Sequence, residues 1–155
     1  MKKIILLVCV AMMATFAASA QDKGNWAVGP KIGVYANTGA DGAIFGVGAI
    51  GRYSITDNWR LEPGVTALLH DGCSVDVNCD VQYLFNLGSD WNIYPLAGLS
   101  ANDIGGWSCG INVGGGADFS VARNWDISAG VKWTIQTAEY HKNPVVFSLG
   151  AAYKF

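Results

Sequence analysis

The sequence predicts an all-β protein, a transmembrane up-and-down antiparallel β-barrel of eight strands, and three observations carry that expectation. The chain is apolar (51% hydrophobic, 14% charged), yet beyond its first twenty residues no apolar run is long enough for a spanning helix. Successive stretches alternate between large apolar and small or polar residues, the period of a strand whose two faces meet different environments. Four tryptophans, Trp26, Trp59, Trp91 and Trp125, each follow a turn-like cluster and lie 33, 32 and 34 residues apart. A period of about 33 fits a hairpin of two membrane-crossing strands with its connections, so four units give eight strands.

Residues 1–20 read as a secretory signal peptide: Lys2 and Lys3 form the charged start, Ile4 to Phe16 the apolar stretch, and Ala18-Ser19-Ala20 the cleavage site. A lipoprotein reading of Cys9 is poor because Val8 before it is not small. Residues 21–155 then form a single domain, with no shift in composition or Pro/Ser-rich linker to divide them. With Lys2 and Lys3 removed, 8 basic residues of the original 10 face 12 acidic ones, a balance that argues against nucleic acid as a partner. The 20 glycines are scattered, which disfavours long helices, since an interior glycine costs about 0.5–1 kcal/mol relative to alanine.

The parity of each strand can be read directly. Trp59, Leu61, Pro63, Val65, Ala67 and Leu69 share one face; Arg60, Glu62, Gly64, Thr66, Leu68 and His70 share the other. Trp125, Ile127, Ala129, Val131, Trp133 and Ile135 lie opposite Asp126, Ser128, Gly130, Lys132, Thr134 and Gln136. Read back from the end, Phe155, Tyr153, Ala151, Leu149, Phe147 and Val145 face away from Lys154, Ala152, Gly150, Ser148 and Val146. A soluble barrel would put the large apolar set inside; an outer-membrane barrel turns it towards lipid. The small residues of the polar face suit a narrow lumen. The near-absence of charge from the apolar face suits lipid, where a mid-depth charge costs about 2–4 kcal/mol.

The expected topology follows. Trp26, Trp59, Trp91 and Trp125 start upward strands and form a periplasmic aromatic girdle, with Tyr53, Phe119, Tyr153 and Phe155 nearby. The connections after Tyr53, Leu87 and Phe119 are short and periplasmic. Those near Asn37 to Asp41, His70 to Cys79, Ser100 to Ser108 and Thr137 to Pro144 are outer loops, and both chain termini lie in the periplasm.

The ending Ala151-Ala152-Tyr153-Lys154-Phe155 and the strand Trp91-Asn92-Ile93-Tyr94-Pro95-Leu96-Ala97-Gly98 resemble those of the small eight-stranded outer-membrane barrels of the OmpA/OmpX-like, porin-family group. The resemblance covers the mature chain. It implies location in the outer membrane of a Gram-negative bacterium, with the barrel-assembly machinery as a partner that reads Tyr153 and Phe155 as an assembly signal. With the sequence ending at Phe155, the expectation is a barrel alone, without the peptidoglycan-binding domain that larger relatives append.

Candidate site residues are few. Lys31, Arg52, Arg60, Glu62, Asp118 and Lys132, with Asp126 and Lys154, should face the lumen. Buried ions must pair, so Glu62 is the expected hub of a salt-bridged plug. Of the mature cysteines, Cys73 and Cys79 lie in one expected outer loop and are the expected disulfide, worth about 2 kcal/mol, leaving Cys109 free. Asp71, Asp76, Asn78 and Asp80 could hold a divalent cation but lack the glycine and terminal glutamate of an EF-hand, so a solvated acidic loop is the reading. Gly46-Val47-Gly48-Ala49-Ile50-Gly51 matches the dinucleotide fingerprint literally, yet no helix follows, and the glycines read as lumen-facing or barrel-bending positions. His70 and His141, with Ser74, Ser108, Asp71 and Glu139, are the residue types of a lipid A-modifying enzyme, in no spacing that matches a motif.

The expectation is a monomeric, non-enzymatic barrel without cofactor or metal, structural or surface-interacting, whose partners are outer-membrane lipid and lipopolysaccharide. A narrow conduit for ions or small solutes is the alternative, and a lipid A-modifying enzyme the more distant one.

Overall fold

The computed structural model describes residues 26–39, 42–69, 74–139 and 141–155. The expected signal peptide lies outside these residues, as do His70, Asp71 and Cys73. Eight long strands follow one another: β1 (Trp26–Ala36), β2 (Ile44–Ser54), β3 (Trp59–Leu69), β4 (Ser74–Tyr83), β5 (Trp91–Asn102), β6 (Ser108–Ala122), β7 (Trp125–Gln136) and β8 (Val145–Lys154). A two-residue piece, Phe85–Asn86, continues β4 past a break at Leu84 and pairs with Ile93 and Asn92 of β5.

Each strand pairs antiparallel with the next, and β1 pairs with β8 from Ala27 opposite Lys154 to Ala36 opposite Val145. The sheet is closed and leaves no unpaired edge. The expected up-and-down eight-stranded barrel is the observed one. A register shift between Ser120 and Ala122 marks a bulge at the lower end of β6, where bulges commonly terminate pairing.

Strand parity sets inside from outside. Outward positions carry large apolar side chains in the open: Phe45, Leu69, Leu99, Val131, Phe147 and Leu149 are all exposed. Inward positions carry buried Lys31, Arg52, Arg60, Glu62, Asp80, Asn112 and Asp118. A soluble barrel would show the reverse. Eleven residues of β3, at about 3.3 Å each and tilted about 45°, rise roughly 25 Å, the height of the apolar band of such barrels.

The period of the tryptophans has a structural cause. Each one pairs in register with an aromatic on a neighbouring strand: Trp26 with Tyr53, Trp59 with Tyr83, Trp91 with Phe119 and Trp125 with Tyr153. The ring centroids lie 4.8, 5.0, 4.8 and 5.3 Å apart, inside the range of favourable aromatic pairs. Phe155 extends the last pair by packing edge-on to Tyr153. All four pairs sit at the end of the barrel that holds both Trp26 and Phe155, where the Phe155 amide donates to the Trp26 carbonyl.

The structure corrects two expectations about β4. The second outer connection does not reach Cys79: the strand begins at Ser74, so Asp76, Asn78 and Asp80 are buried lumen residues rather than members of a solvated acidic loop. The expected Cys73–Cys79 bridge fails with it. Five residue steps of extended strand separate Ser74 from Cys79, roughly 16 Å. One further peptide step of about 3.8 Å cannot bring the two Cα atoms within the roughly 7 Å a disulfide spans. Cys79 is a free thiol on the outward face, and so is Cys109.

Candidate functional site

Alternation places one polar side chain on the lumen side of nearly every second residue, and closure of the barrel brings these chains together. The lower cluster is built on β2, β3 and β6. Arg52 Nε donates to Glu62 Oε2 at 2.7 Å, and its Nη2 lies 3.4 Å from Asp118 Oδ1. Arg60 Nη1 reaches Asp118 Oδ2 at 2.7 Å, its Nε donates to Gln82 Oε1 at 2.6 Å, and its guanidinium carbon lies 5.1 Å from the centre of the Tyr94 ring, a cation–π distance. Lys31 Nζ stands 3.9 Å from Glu62 Oε1. Glu62 is thus the hub that the sequence predicts, with Asp118 as a second hub.

The upper cluster centres on Asp80, which the sequence reading placed in a loop. Lys132 Nζ lies 3.1 Å from Asp80 Oδ2, Asn78 Nδ2 donates to the same oxygen at 2.9 Å, and Asn112 Nδ2 donates to Asp80 Oδ1 at 2.7 Å. Asn112 Oδ1 in turn accepts from Ser100 Oγ at 3.0 Å and Thr134 Oγ1 at 2.8 Å. Above it, Tyr35 OH donates to Asp76 Oδ2 at 2.7 Å. At the girdle end, Lys154 Nζ pairs with Asp126 Oδ1 at 2.7 Å, an oxygen that also accepts from Ser120 Oγ.

Among the described residues, five cations (Lys31, Arg52, Arg60, Lys132, Lys154) and five carboxylates (Glu62, Asp76, Asp80, Asp118, Asp126) face the lumen. The formal charge of the interior is zero. Glu62, Asp80, Asp118 and Asp126 each meet a cation, and Asp76 accepts from the Tyr35 hydroxyl instead; opposite charge is what holds such buried ions together.

Space for this network comes from glycine. A Cβ at Gly98 would collide with Asp80 Oδ1 and with the Cys79 carbonyl oxygen, and one at Gly116 would stand 2.6 Å from the Tyr94 hydroxyl. Apolar groups close both ends: Leu84, Tyr94 and Leu96 pack together on one side, and Tyr35, Ile44, Leu68 and Val146 on the other, with Ile104 laid over them. An eight-stranded interior is just wide enough for side chains to fill, and Ile50, Leu68, Gln82, Asn102 and Asn112 have no more than a trace of exposure.

The other sequence candidates separate. Gly46 and Gly48 sit on β2 with the parity of buried Ile50 and Arg52, facing the lumen, and no helix follows. Among the described residues, no three His, Cys, Asp or Glu side chains are grouped to hold a metal ion. Ser108 Oγ donates to the Cys109 carbonyl at 3.3 Å, and no hydrogen bond among the described residues joins it to His141.

Comparison with known proteins agrees with this geometry. Among solved structures, Neisserial surface protein A is 22% identical with a TM-score of 0.69, over 84% of this chain and 97% of that one. The N-terminal β-barrel domain of Pseudomonas aeruginosa OprF is 16% identical with a TM-score of 0.68, over 84% and 98%. Ail, the attachment invasion locus protein of Yersinia pestis, is 17% identical with a TM-score of 0.60, over 84% and 96%. These likenesses show the fold. No curated protein matches. The family model described as outer membrane protein beta-barrel domain matches residues 5–155, and the chain therefore belongs to that family and to the outer membrane.

Proposed function

We propose that this chain is a sealed, monomeric and non-enzymatic outer-membrane barrel with a structural or surface-interaction role. Its termini and aromatic girdle face the periplasm, and its connections 37–43, 70–73, 103–107 and 137–144 face outward among lipopolysaccharide. Tyr153 and Phe155, at the end of the closing strand, serve as the signal read by the barrel-assembly machinery. The reading is carried by the ion cluster of Arg52, Glu62, Arg60 and Asp118, which ties β2, β3 and β6 together across the lumen. A lumen crossed by buried ion pairs offers no continuous water path.

Planar-bilayer recording on the purified protein tests it. The expected result is a quiet membrane; steady single-channel currents would instead establish the conduit reading. That second reading draws on one observation: Arg52 contacts two carboxylates at once, at 2.7 and 3.4 Å, so exchange between partners is geometrically available. Lipid A from expressing cells, analysed by mass spectrometry, should be unmodified, and a new acyl or phosphate pattern would restore the enzyme reading.

A further inference from the structure

Three of the four prolines, Pro30, Pro63 and Pro95, stand four residues after Trp26, Trp59 and Trp91, and the last repeat has Ala129 in that place. All three lie inside long strands. Proline has no N–H to give a ladder, and sheets admit it at edges and bulges, yet a closed barrel has no edge. The registers show where the missing donor falls. Pro30 pairs with Ala49 of β2, Pro63 with Cys79 of β4 and Pro95 with Gly115 of β6, all in unbroken ladders. On its other side each proline, with the residue before it, is skipped. The β1–β8 ladder jumps from Val28–Tyr153 to Lys31–Gly150, and β2–β3 from Tyr53–Leu61 to Ile50–Gly64. Strand β5 jumps from Ile93, paired with Phe85, to Leu96, paired with Gln82, so Pro95 is the cause of the break at Leu84. Where alanine replaces proline, β6–β7 runs through Ala117–Ala129 to Ser120–Asp126 unbroken.

These gaps divide the girdle end into staves. The four aromatic pairs cross β1–β2, β3–β4, β5–β6 and β7–β8, whereas the proline gaps lie at β2–β3, β4–β5 and β8–β1. Two gaps are bridged from inside. Arg52 and Glu62, which face each other at the β2–β3 gap, are joined side chain to side chain at 2.7 Å. Leu84 packs with Tyr94 at the β4–β5 gap. The chain itself also joins these strands, through the turns 55–58 and 87–90. At β8–β1 the facing inward residues are Gly29 and Ala152, which offer a hydrogen and a methyl, and the last and first strands share no turn. A Cβ at Gly29 would collide with the Ala151 carbonyl oxygen, so no larger side chain fits there to bridge the gap. Below the gap the seam has the Val28–Tyr153 and Ala27–Lys154 pairings and the 3.1 Å bond from the Phe155 amide to the Trp26 carbonyl.

We propose that the β1–β8 seam is a conformational device that parts from the girdle end up to Pro30 and Ala151 while the rest of the barrel stays closed. A segment held by so few contacts opens locally, without global unfolding. The ladder that resumes at Lys31–Gly150 and continues to Ala36–Val145 stops the opening. The parted seam is a lateral mouth of the lumen, bordered by Lys154 and Asp126. It goes beyond the sealed-barrel reading without opposing it, because the lumen past the gap keeps its buried Lys132–Asp80 pair.

The test is amide hydrogen exchange, read residue by residue by NMR on the full chain folded in phospholipid nanodiscs. Val28 and Tyr153 on the seam are compared with Ile127 and Phe119, the pair at the same place on the unbroken β6–β7 interface. The seam amides should exchange about tenfold faster, an effect of one or two hydrogen bonds. Pro30→Ala, which returns the donor, should slow Val28 and Tyr153 by about fivefold, roughly one net hydrogen bond, and leave Tyr53 and Leu61 at the β2–β3 gap unchanged. Ala129→Pro should make Ile127 and Phe119 exchange as the seam does. The comparison within the unaltered chain needs no variant, so it decides even where a variant fails to fold. Seam amides no faster than Ile127 and Phe119 would overturn the proposal. So would unchanged seam rates in Pro30→Ala, which would reduce the effect to ordinary fraying of chain ends.

Discussion

Asp118 on β6 meets Arg60 on β3 across the lumen, carboxylate to guanidinium at 2.7 Å, and both side chains are almost wholly buried. The two strands share no backbone ladder, so this pair and the Arg52–Asp118 contact at 3.4 Å join walls that the sheet itself joins only the long way round. Removing one partner of a buried pair leaves an uncompensated charge and costs about 3–5 kcal/mol. Asp118→Asn, which keeps the shape, should lose that much in urea unfolding from lipid vesicles followed by tryptophan fluorescence. Adding Arg60→Met should recover part of it. A loss below about 1 kcal/mol would mean that the cluster is solvated and the lumen wetter than its burial indicates.

Gly98 faces Asp80 across the β4–β5 ladder, and any side chain there strikes Asp80 Oδ1 and the Cys79 carbonyl. Gly98→Ala must push β4 away and disturb the Lys132 and Asn112 contacts of Asp80. Overpacking of this kind costs about 1–3 kcal/mol. The neighbouring Ala97, exposed on the outer face, accepts valine without a comparable loss. Equal midpoints for the two variants in the same urea titration would contradict the inward assignment of Gly98.

Much of this arrangement was legible in the sequence, and β3, β7 and β8 show why. Their polar positions alternate with Leu, Val, Ile and aromatic residues, so parity alone assigned Arg60, Glu62, Asp126, Lys132 and Lys154 to the lumen. The same signal was present in β4, where Val75, Val77, Cys79 and Val81 alternate with Asp76, Asn78, Asp80 and Gln82. It was masked because Asp and Asn are also the residues of turns, and two cysteines drew the segment towards a stapled loop. What distinguishes the cases is the partner: Asp80 is inside because Lys132, 52 residues later, meets it across the lumen. A contact of that separation cannot be read from local pattern.

Val131 stands midway along β7, exposed between Trp125 at one end and Trp133 and Ile135 towards the other. If this face meets lipid, the cost of a charge must depend on depth. Val131→Arg should destabilise the barrel in lipid vesicles by about 2–4 kcal/mol, and Ile135→Arg, next to the end of the strand, by only about 0–1. Equal, small effects at both positions would place water, not hydrocarbon, against the apolar face.

The two free thiols give an independent reading of the same depth scale. Cys79 lies in the middle of β4, flanked in register by Pro63 and Leu99 on its neighbours. Cys109 is the second residue of β6, and its carbonyl accepts from the Thr137 amide just past the end of β7, at the end of the barrel away from the tryptophan girdle. Maleimide attack requires a thiolate in contact with water, which hydrocarbon denies to Cys79. With single-cysteine versions folded into vesicles, a charged maleimide should label Cys109 well before Cys79, and both should react at similar rates once the chain is unfolded in urea. Non-reducing peptide mapping of the unaltered chain should find no peptide that joins Cys73 to Cys79, because the extended segment from Ser74 holds them apart. Rapid labelling of Cys79 in the folded state, or recovery of that joined peptide, would require β4 to begin later in the chain and would return Asp76 and Asn78 to a loop.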